Sequence, residues 1–175
     1  MALGRFCVMV ALTGGLLGAS VSSGLSAKDA TATTSGLPVP RYVSLKSDHV
    51  NVRAGPTKDN DVAWVYTRSG LPVEITAEFE NWRRVRDSEG AEGWVYHSLL
   101  SGRRTAVVTM KSKDDLATIY ARADQTSAVA ARLQAGVVTQ VKRCASNWCH
   151  VSVNGFDGWI EQQRLWGVYA DEKVE

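Results

Sequence analysis

Apolar and polar positions alternate in short runs along most of this chain. Val50 to Arg53, Val62 to Thr67, Pro72 to Phe79 and Trp82 to Arg86 are each rich in β-branched or aromatic residues and bounded by Gly, Asn, Asp or Pro. A period of two sends successive side chains to opposite faces, so each run predicts a half-buried strand rather than a helix. The second half of the chain repeats the pattern at Val137 to Cys144, Trp148 to Val153 and Asp157 to Ile160. Only Ala128 to Ala135 could be argued as helical, and it aligns with a strand of the first half.

That alignment is an internal repeat. Val52 and Ala54 fall on Ile119 and Ala121, and Val62 falls on Val129, all at one spacing. Gly70 falls on Gly136 and Trp82 on Trp148 at a spacing one residue shorter. Gly93-Trp94 falls on Gly158-Trp159, Leu100 on Leu165 and Gly102 on Gly167 at one shorter again. Two single-residue deletions in turn-like stretches account for the slip. Residues 41–103 and 104–168 therefore form two units, each with five or six short strands. The expected fold class is all-β: two tandem barrels, each the size of a small closed barrel.

The ends follow a different pattern. Residues 1–27 combine one early charge, Arg5, with an apolar run from Phe6 to Leu17 and then small residues, the form of a signal peptide cleaved after Ala27. The run is too short and glycine-rich for a stable membrane span. Residues 28–40 are small, polar and proline-terminated, and read as a flexible linker, while 169–175 read as a polar tail. An exported chain is expected in the periplasm or the exterior.

At this point five segments carry a resemblance. R-Y-V-S-L-K, V-N-V-R-A-G-P, G-L-P-V-E-I, E-N-W-R-R-V-R-D and E-G-W-V resemble the bacterial SH3-like domain family, densely over 40–105 and more diffusely over 106–168. The resemblance implies a pair of small SH3-like β-barrels in the cell envelope, in a family often assigned to wall or peptide binding. The second unit departs from the pattern: Tyr120-Ala121-Arg122-Ala123 stands where the first has Arg53-Ala54-Gly55-Pro56.

Charge and chemistry narrow the function. A formal net charge of +2 gives no field that would favour nucleic acid. The chain contains no phosphate-binding loop, nucleophile elbow or zinc-protease motif, and two barrel-sized repeats leave no length for a catalytic domain, so no enzyme and no cofactor is expected. Glu78 and Glu80, with Arg83, Arg84 and Arg86, read as a solvated strand edge. Cys144 and Cys149 flank a turn centred on Ala145 to Asn147, and an exported compartment makes a disulfide the expected state. Free thiols are the alternative. A metal held by Cys144, Cys149 and His150 is a third reading, and it lacks a second ligand pair.

Six tryptophans outnumber five tyrosines and three phenylalanines. Trp82 and Trp148 occupy equivalent positions, as do Trp94 and Trp159, which points to packing in the core or the barrel wall. Trp64 falls instead on Ala131, Tyr96 on Glu161 and Arg53 on Tyr120. These unrepeated groups predict a ligand groove in the first unit built from Trp64, Tyr66, Tyr96 and Arg53, shaped by Gly55 and Pro56. The competing expectation is that Trp64 packs between the barrels, with Trp166 as partner. Two functions follow: a non-catalytic envelope module recognising peptidoglycan by its peptide stem or glycan, or a periplasmic adaptor that binds another envelope protein.

Overall fold

The computed structural model describes residues 34–112 and 115–175. The expected signal peptide and the start of the linker lie outside the described residues. The first unit comprises β1 (Arg41–Leu45), β2 (Val50–Arg53), β3 (Val62–Tyr66), β4 (Pro72–Phe79), β5 (Trp82–Arg86), β6 (Glu92–Tyr96) and β7 (Leu100–Ser101). The second comprises β8 (Thr105–Val108), β9 (Leu116–Tyr120), β10 (Val129–Gln134), β11 (Val138–Ala145), β12 (Trp148–Val153), β13 (Phe156–Glu161) and β14 (Leu165–Trp166). Their sheet orders, β3-β2-β6-β5-β4-β1-β7 and β10-β9-β13-β12-β11-β8-β14, are the same order with every strand advanced by seven. The ambiguous Ala128 to Ala135 segment is strand β10. Among the described residues no helix is long and apolar enough to cross a membrane.

Each sheet curls around its own core, and alternation decides what enters it. Val50 and Val52 of β2, Val73 and Ile75 of β4, Val85 of β5 and Val95 of β6 are buried together. Ala117, Ile119, Val141, Val151 and Ile160 do the same in the second unit. The curl brings two strands unusually close at one glycine in each unit. A Cβ on Gly93 would collide with Val52 Cγ1, and one on Gly158 would lie 2.6 Å from the Tyr120 carbonyl oxygen. This close crossing is the physical reason for the repeated Gly-Trp pair. Neither ladder closes. β3 pairs only with β2 and β10 only with β9, so each unit keeps an exposed edge where a closed barrel would have none.

Of the strand edge expected to be solvated, Glu80, Arg84 and Arg86 are exposed, but Glu78 and Arg83 are tied down. The Glu78 side chain is 1% exposed and pairs with Arg41 at 2.6 Å and Arg83 at 3.1 Å. Ser35, within the expected linker, donates its backbone N–H and hydroxyl to the same carboxylate. Burial alone would raise the Glu78 pKa, but the Arg41 and Ser35 hydrogen bonds outweigh it and hold the carboxyl below its ordinary value of 4.5. Glu74 is likewise buried and accepts from Arg86.

Residues 169–175 pack back on the protein. Val174 is buried and exchanges two backbone hydrogen bonds with Cys144, at 2.9 and 3.2 Å. Cys144 therefore turns its backbone groups away from Cys149, its direct partner across the hairpin, and the two form a disulfide. Ser146 and Asn147, both at positive φ, make the two-residue turn between them. The Gln162 amide donates to the carbonyls of Tyr169 and Glu172, and Glu172 pairs with Arg104. Tyr169 then reaches the first unit: its hydroxyl donates to Glu74 at 2.9 Å and its ring lies 4.6 Å from that of Tyr42. Trp166 meets Tyr42 edge-on at 5.1 Å, and Arg68 donates to the Gly136 carbonyl. Burial pushes the Tyr42 hydroxyl pKa up to about 12. Trp166 is thus an interface residue as expected, with Tyr42 rather than Trp64 as its partner.

Three outcomes follow from this packing. Gly93→Ala overpacks the crossing and should cost about 1–3 kcal/mol in denaturant unfolding. Replacing Cys144 and Cys149 together by Ala removes a loop constraint worth about 2 kcal/mol, read as a lower midpoint that reductant reproduces in the native protein. Because the Glu78 pKa is lowered on folding, its stabilisation is present above pH 4.5 and fades as pH falls below that value. Glu78→Gln should cost about 3 kcal/mol at neutral pH and flatten the loss of melting temperature between neutral and acid solution.

Candidate functional site

Strand pairing sorts the aromatic residues of the first unit onto two faces. Val50 lies opposite Tyr66 and Val52 opposite Trp64, so Trp64 and Tyr66 share the inward face of β2. Both are half-buried and pack on the core valines, with ring centroids 6.1 Å apart. The tip of the Trp64 indole covers Gly93. The Tyr66 hydroxyl donates to Asp87 at 3.0 Å, and burial first, then that hydrogen bond, holds its pKa well above the ordinary tyrosine value.

The outward face carries a different set. Arg53 lies opposite Trp94, Trp94 opposite Arg84, and Tyr96 opposite Trp82. All five alternate with the buried Val52, Gly93, Val95 and Val85, which places them away from the core. Trp82 and Tyr96 meet edge-to-face at 5.4 Å. Beside them opens a shallow cleft of about 170 Å³, lined by Asn51, Arg53, Lys58, Trp82, Tyr96 and Leu99. Arg53 is aimed by a 2.6 Å hydrogen bond to the Asn60 carbonyl, and Arg84 is held by Glu92 at 2.5 Å.

The loop between β2 and β3 contributes Lys58 to the cleft. Gly55 is buried, and a Cβ there would lie 2.5 Å from Asn60 Oδ1, so only glycine lets Asn60 fold under the loop. Asn60 in turn donates to Thr57. Pro56 is half-buried at the same bend. The second unit closes its corresponding loop differently, with Asp124 accepting from the Thr126 backbone and hydroxyl.

The six residues expected to form one groove are therefore divided. Arg53 and Tyr96 line the outer cleft, Gly55 and Pro56 lie in the loop that carries its Lys58, and Trp64 and Tyr66 lie on the opposite side of the sheet. Trp82, Asn51, Lys58 and Leu99 belong to the cleft and were not among the expected residues. The signal for Trp82 was present in its register: it precedes the buried Val85 by three positions in one strand and so faces outward. Of the four repeated tryptophans, Trp82 is buried and Trp94, Trp148 and Trp159 are half-buried, and none joins either inner core. They form the outer wall. In the second unit Trp159 stacks near His150, with the Arg143 guanidinium 5.0 Å over its ring. At the position of Tyr96 stands Glu161, and a larger cavity of about 490 Å³ opens there beside Trp148, Leu165, Val168 and Asp171. Among the described residues no group of three or more His, Cys, Asp or Glu is placed to hold a metal ion.

Comparison with known proteins places this architecture. A search of curated proteins finds no match. Among solved structures the chain is similar to NlpC2 of Trichomonas vaginalis, at 14% identity and a TM-score of 0.33, over 73% of this chain and 48% of that one. It is similar to NlpC1 of the same organism at 16% and 0.32, over 76% and 48%. It is also similar to an NlpC/P60 family protein from Bacillus cereus at 12% and 0.29, over 71% and 55%. The chain spans about half the length of each of these structures. The family model of the bacterial SH3 domain matches twice, over residues 46–102 and 113–167, one match on each seven-stranded sheet. With most of its length so matched, the chain belongs to the bacterial SH3 domain family, as a tandem pair.

Proposed function

We propose that this protein is a non-catalytic cell-envelope binding module that recognises peptidoglycan, by its peptide stem or its glycan, through the outer face of the first unit. The observation that carries the reading is the outward cleft. There the Trp82–Tyr96 pair lies beside Arg53 and Lys58, on the side of the sheet that the core does not use. Aromatic rings with polar neighbours stack on sugar rings or grip extended peptide, and the two cations suit carboxylates of a wall polymer. The Cys144–Cys149 disulfide supports an oxidising compartment, periplasmic or extracellular.

A second reading has its own support. Tyr42, Trp166, Tyr169 and Glu74 clasp the two units to each other, which suits a spacer that holds another envelope protein at a set distance. Co-sedimentation with purified cell-wall sacculi separates the two. On the wall-binding reading the protein pellets above an albumin control. Replacing Arg53 and Tyr96 together by Ala should weaken pelleting about tenfold with little change in melting temperature. Trp64→Ala, by contrast, should lower the melting temperature, because it empties the inner face. Failure of the native protein to pellet would overturn the wall reading and leave the adaptor.

A further inference from the structure

In the first unit the Tyr96 ring packs edge-to-face on Trp82 and lies 5.0 Å from that of His97. The second unit keeps the tryptophan, as Trp148, but has Glu161 and Gln162 at the places of those two rings. Residues 168–171 then fold back beside Trp148, where the corresponding residues of the first unit lead into β8. Between them lies the cavity of about 490 Å³, well inside the range of small-ligand pockets, roughly 300–1,000 Å³.

The lining is of two kinds. Trp148, Leu165 and Val168 are apolar, while Glu161, Gln162 and Asp171 bring oxygen acceptors, and none of the described residues that line the cavity is Lys, Arg or His. Gln162 decides what the cavity lacks. It is only 5% exposed, and its Nε2 donates to the Tyr169 carbonyl at 2.8 Å and the Glu172 carbonyl at 3.1 Å. Two carbonyls demand N–H donors, so the amide is oriented with Oε1 turned away from them. Among the described residues that oxygen accepts no hydrogen bond. Nor is it sealed: the buried side-chain atoms without a partner are Arg104 Nε and Thr105 Oγ1. The open space beside Gln162 is the cavity it lines, so a fixed acceptor faces that space.

Asp171 stands in the same turn that grips Gln162. Glu172 donates its N–H to the Tyr169 carbonyl, and Asp171 lies between them at a φ of 58°. Its side chain is exposed, and among the described residues it makes no hydrogen bond or ion pair. Glu161 is less available, because it accepts from Gln125 and pairs with Arg164 at 3.4 Å. A neutral acceptor and an unpaired carboxylate thus adjoin an apolar wall that includes an indole. The complementary group offers several N–H donors, no acceptor and a positive charge, on an apolar stem. An alkylammonium has all four properties: three donors on the head, a stem that packs along apolar surface, and a charge that an indole attracts.

We propose that the second unit binds a primary alkylammonium, the group of a lysine-type side chain, in this cavity. The alkyl stem packs against Trp148, Leu165 and Val168, and the ammonium donates to Gln162 Oε1 and the Asp171 carboxylate. The site lies on the unit that the wall-binding reading does not use, and it stands independently of that reading.

Titration of the ¹⁵N-labelled protein with Nα-acetyl-lysine N-methylamide at neutral pH, followed by NMR, tests it. Saturable shifts are expected at the indole N–H of Trp148 and the amides of Gln162 and Asp171. The Nε-acetylated form, which keeps the stem and loses the charge, should bind about tenfold more weakly, and Asp171→Asn should weaken the charged form by the same factor. Asparagine is at home at positive φ, so that variant keeps the turn. Asp157→Asn removes an exposed acid of the same unit outside the cavity and should leave binding unchanged. Cadaverine, a free diamine, provides the second source of the same group, and the tighter of the two ligands identifies whether the ammonium comes from a peptide or a free amine. Failure of both to give saturable shifts, equal binding of the charged and acetylated forms, or equal losses in Asp171→Asn and Asp157→Asn would each overturn the proposal.

Discussion

The constraint on which the rest of this structure depends is the missing side chain at Gly93 and Gly158. A seven-stranded antiparallel sheet can wrap a small core only if it bends sharply, and here the bend brings neighbouring strands β6 and β2, and β13 and β9, into close contact. Any Cβ at those glycines would meet Val52 in one unit and Ile119 or the Tyr120 carbonyl in the other. With the glycine facing inward, strict alternation sends the following tryptophan outward. The Gly-Trp pair is therefore one device with two consequences: a tight core of small β-branched residues, and an aromatic wall on the opposite face.

That device shapes both candidate sites. In the first unit the outer wall pairs Trp82 with Tyr96 beside Arg53, while the inner opening is filled by Trp64 and Tyr66. In the second unit the outer wall carries His150 and Glu161, and the inner opening is left wide by Ala130 and Ala131. Duplication preserved the strand order and left space in the second unit where Trp64 and Tyr66 fill the first. The clasp through Tyr169 and Glu74 then joins two chemically different surfaces.

The tryptophans show how far a repeat comparison reaches. Residues present in both copies were expected to pack and residues in one copy to bind. Trp64, present once, packs on the core of its own unit, and the repeated tryptophans form the outer wall. Repetition records what both copies retain, and a wall is retained as readily as a core. Face is set by register instead, and β-bulges such as the one between Val52 and Arg53 move register by a residue that no pattern of apolar positions reveals.

What the chain's own sequence determined is the fold class, the duplication, the strands and the disulfide partners. Each follows from contacts between residues close in sequence or from positions matched between the repeats. Period-two alternation, turn residues and the short Cys144–Cys149 spacing are local signals of that kind. Only the tertiary structure decided that Glu78 is a buried ion-paired carboxylate, that Tyr169 and Trp166 clasp the first unit, and that Tyr96 shares a cleft with Arg53 and not with Trp64. Those facts depend on which distant strands pair and in what register. Long-range pairing is fixed by the packing of the whole sheet, and no segment read alone contains it.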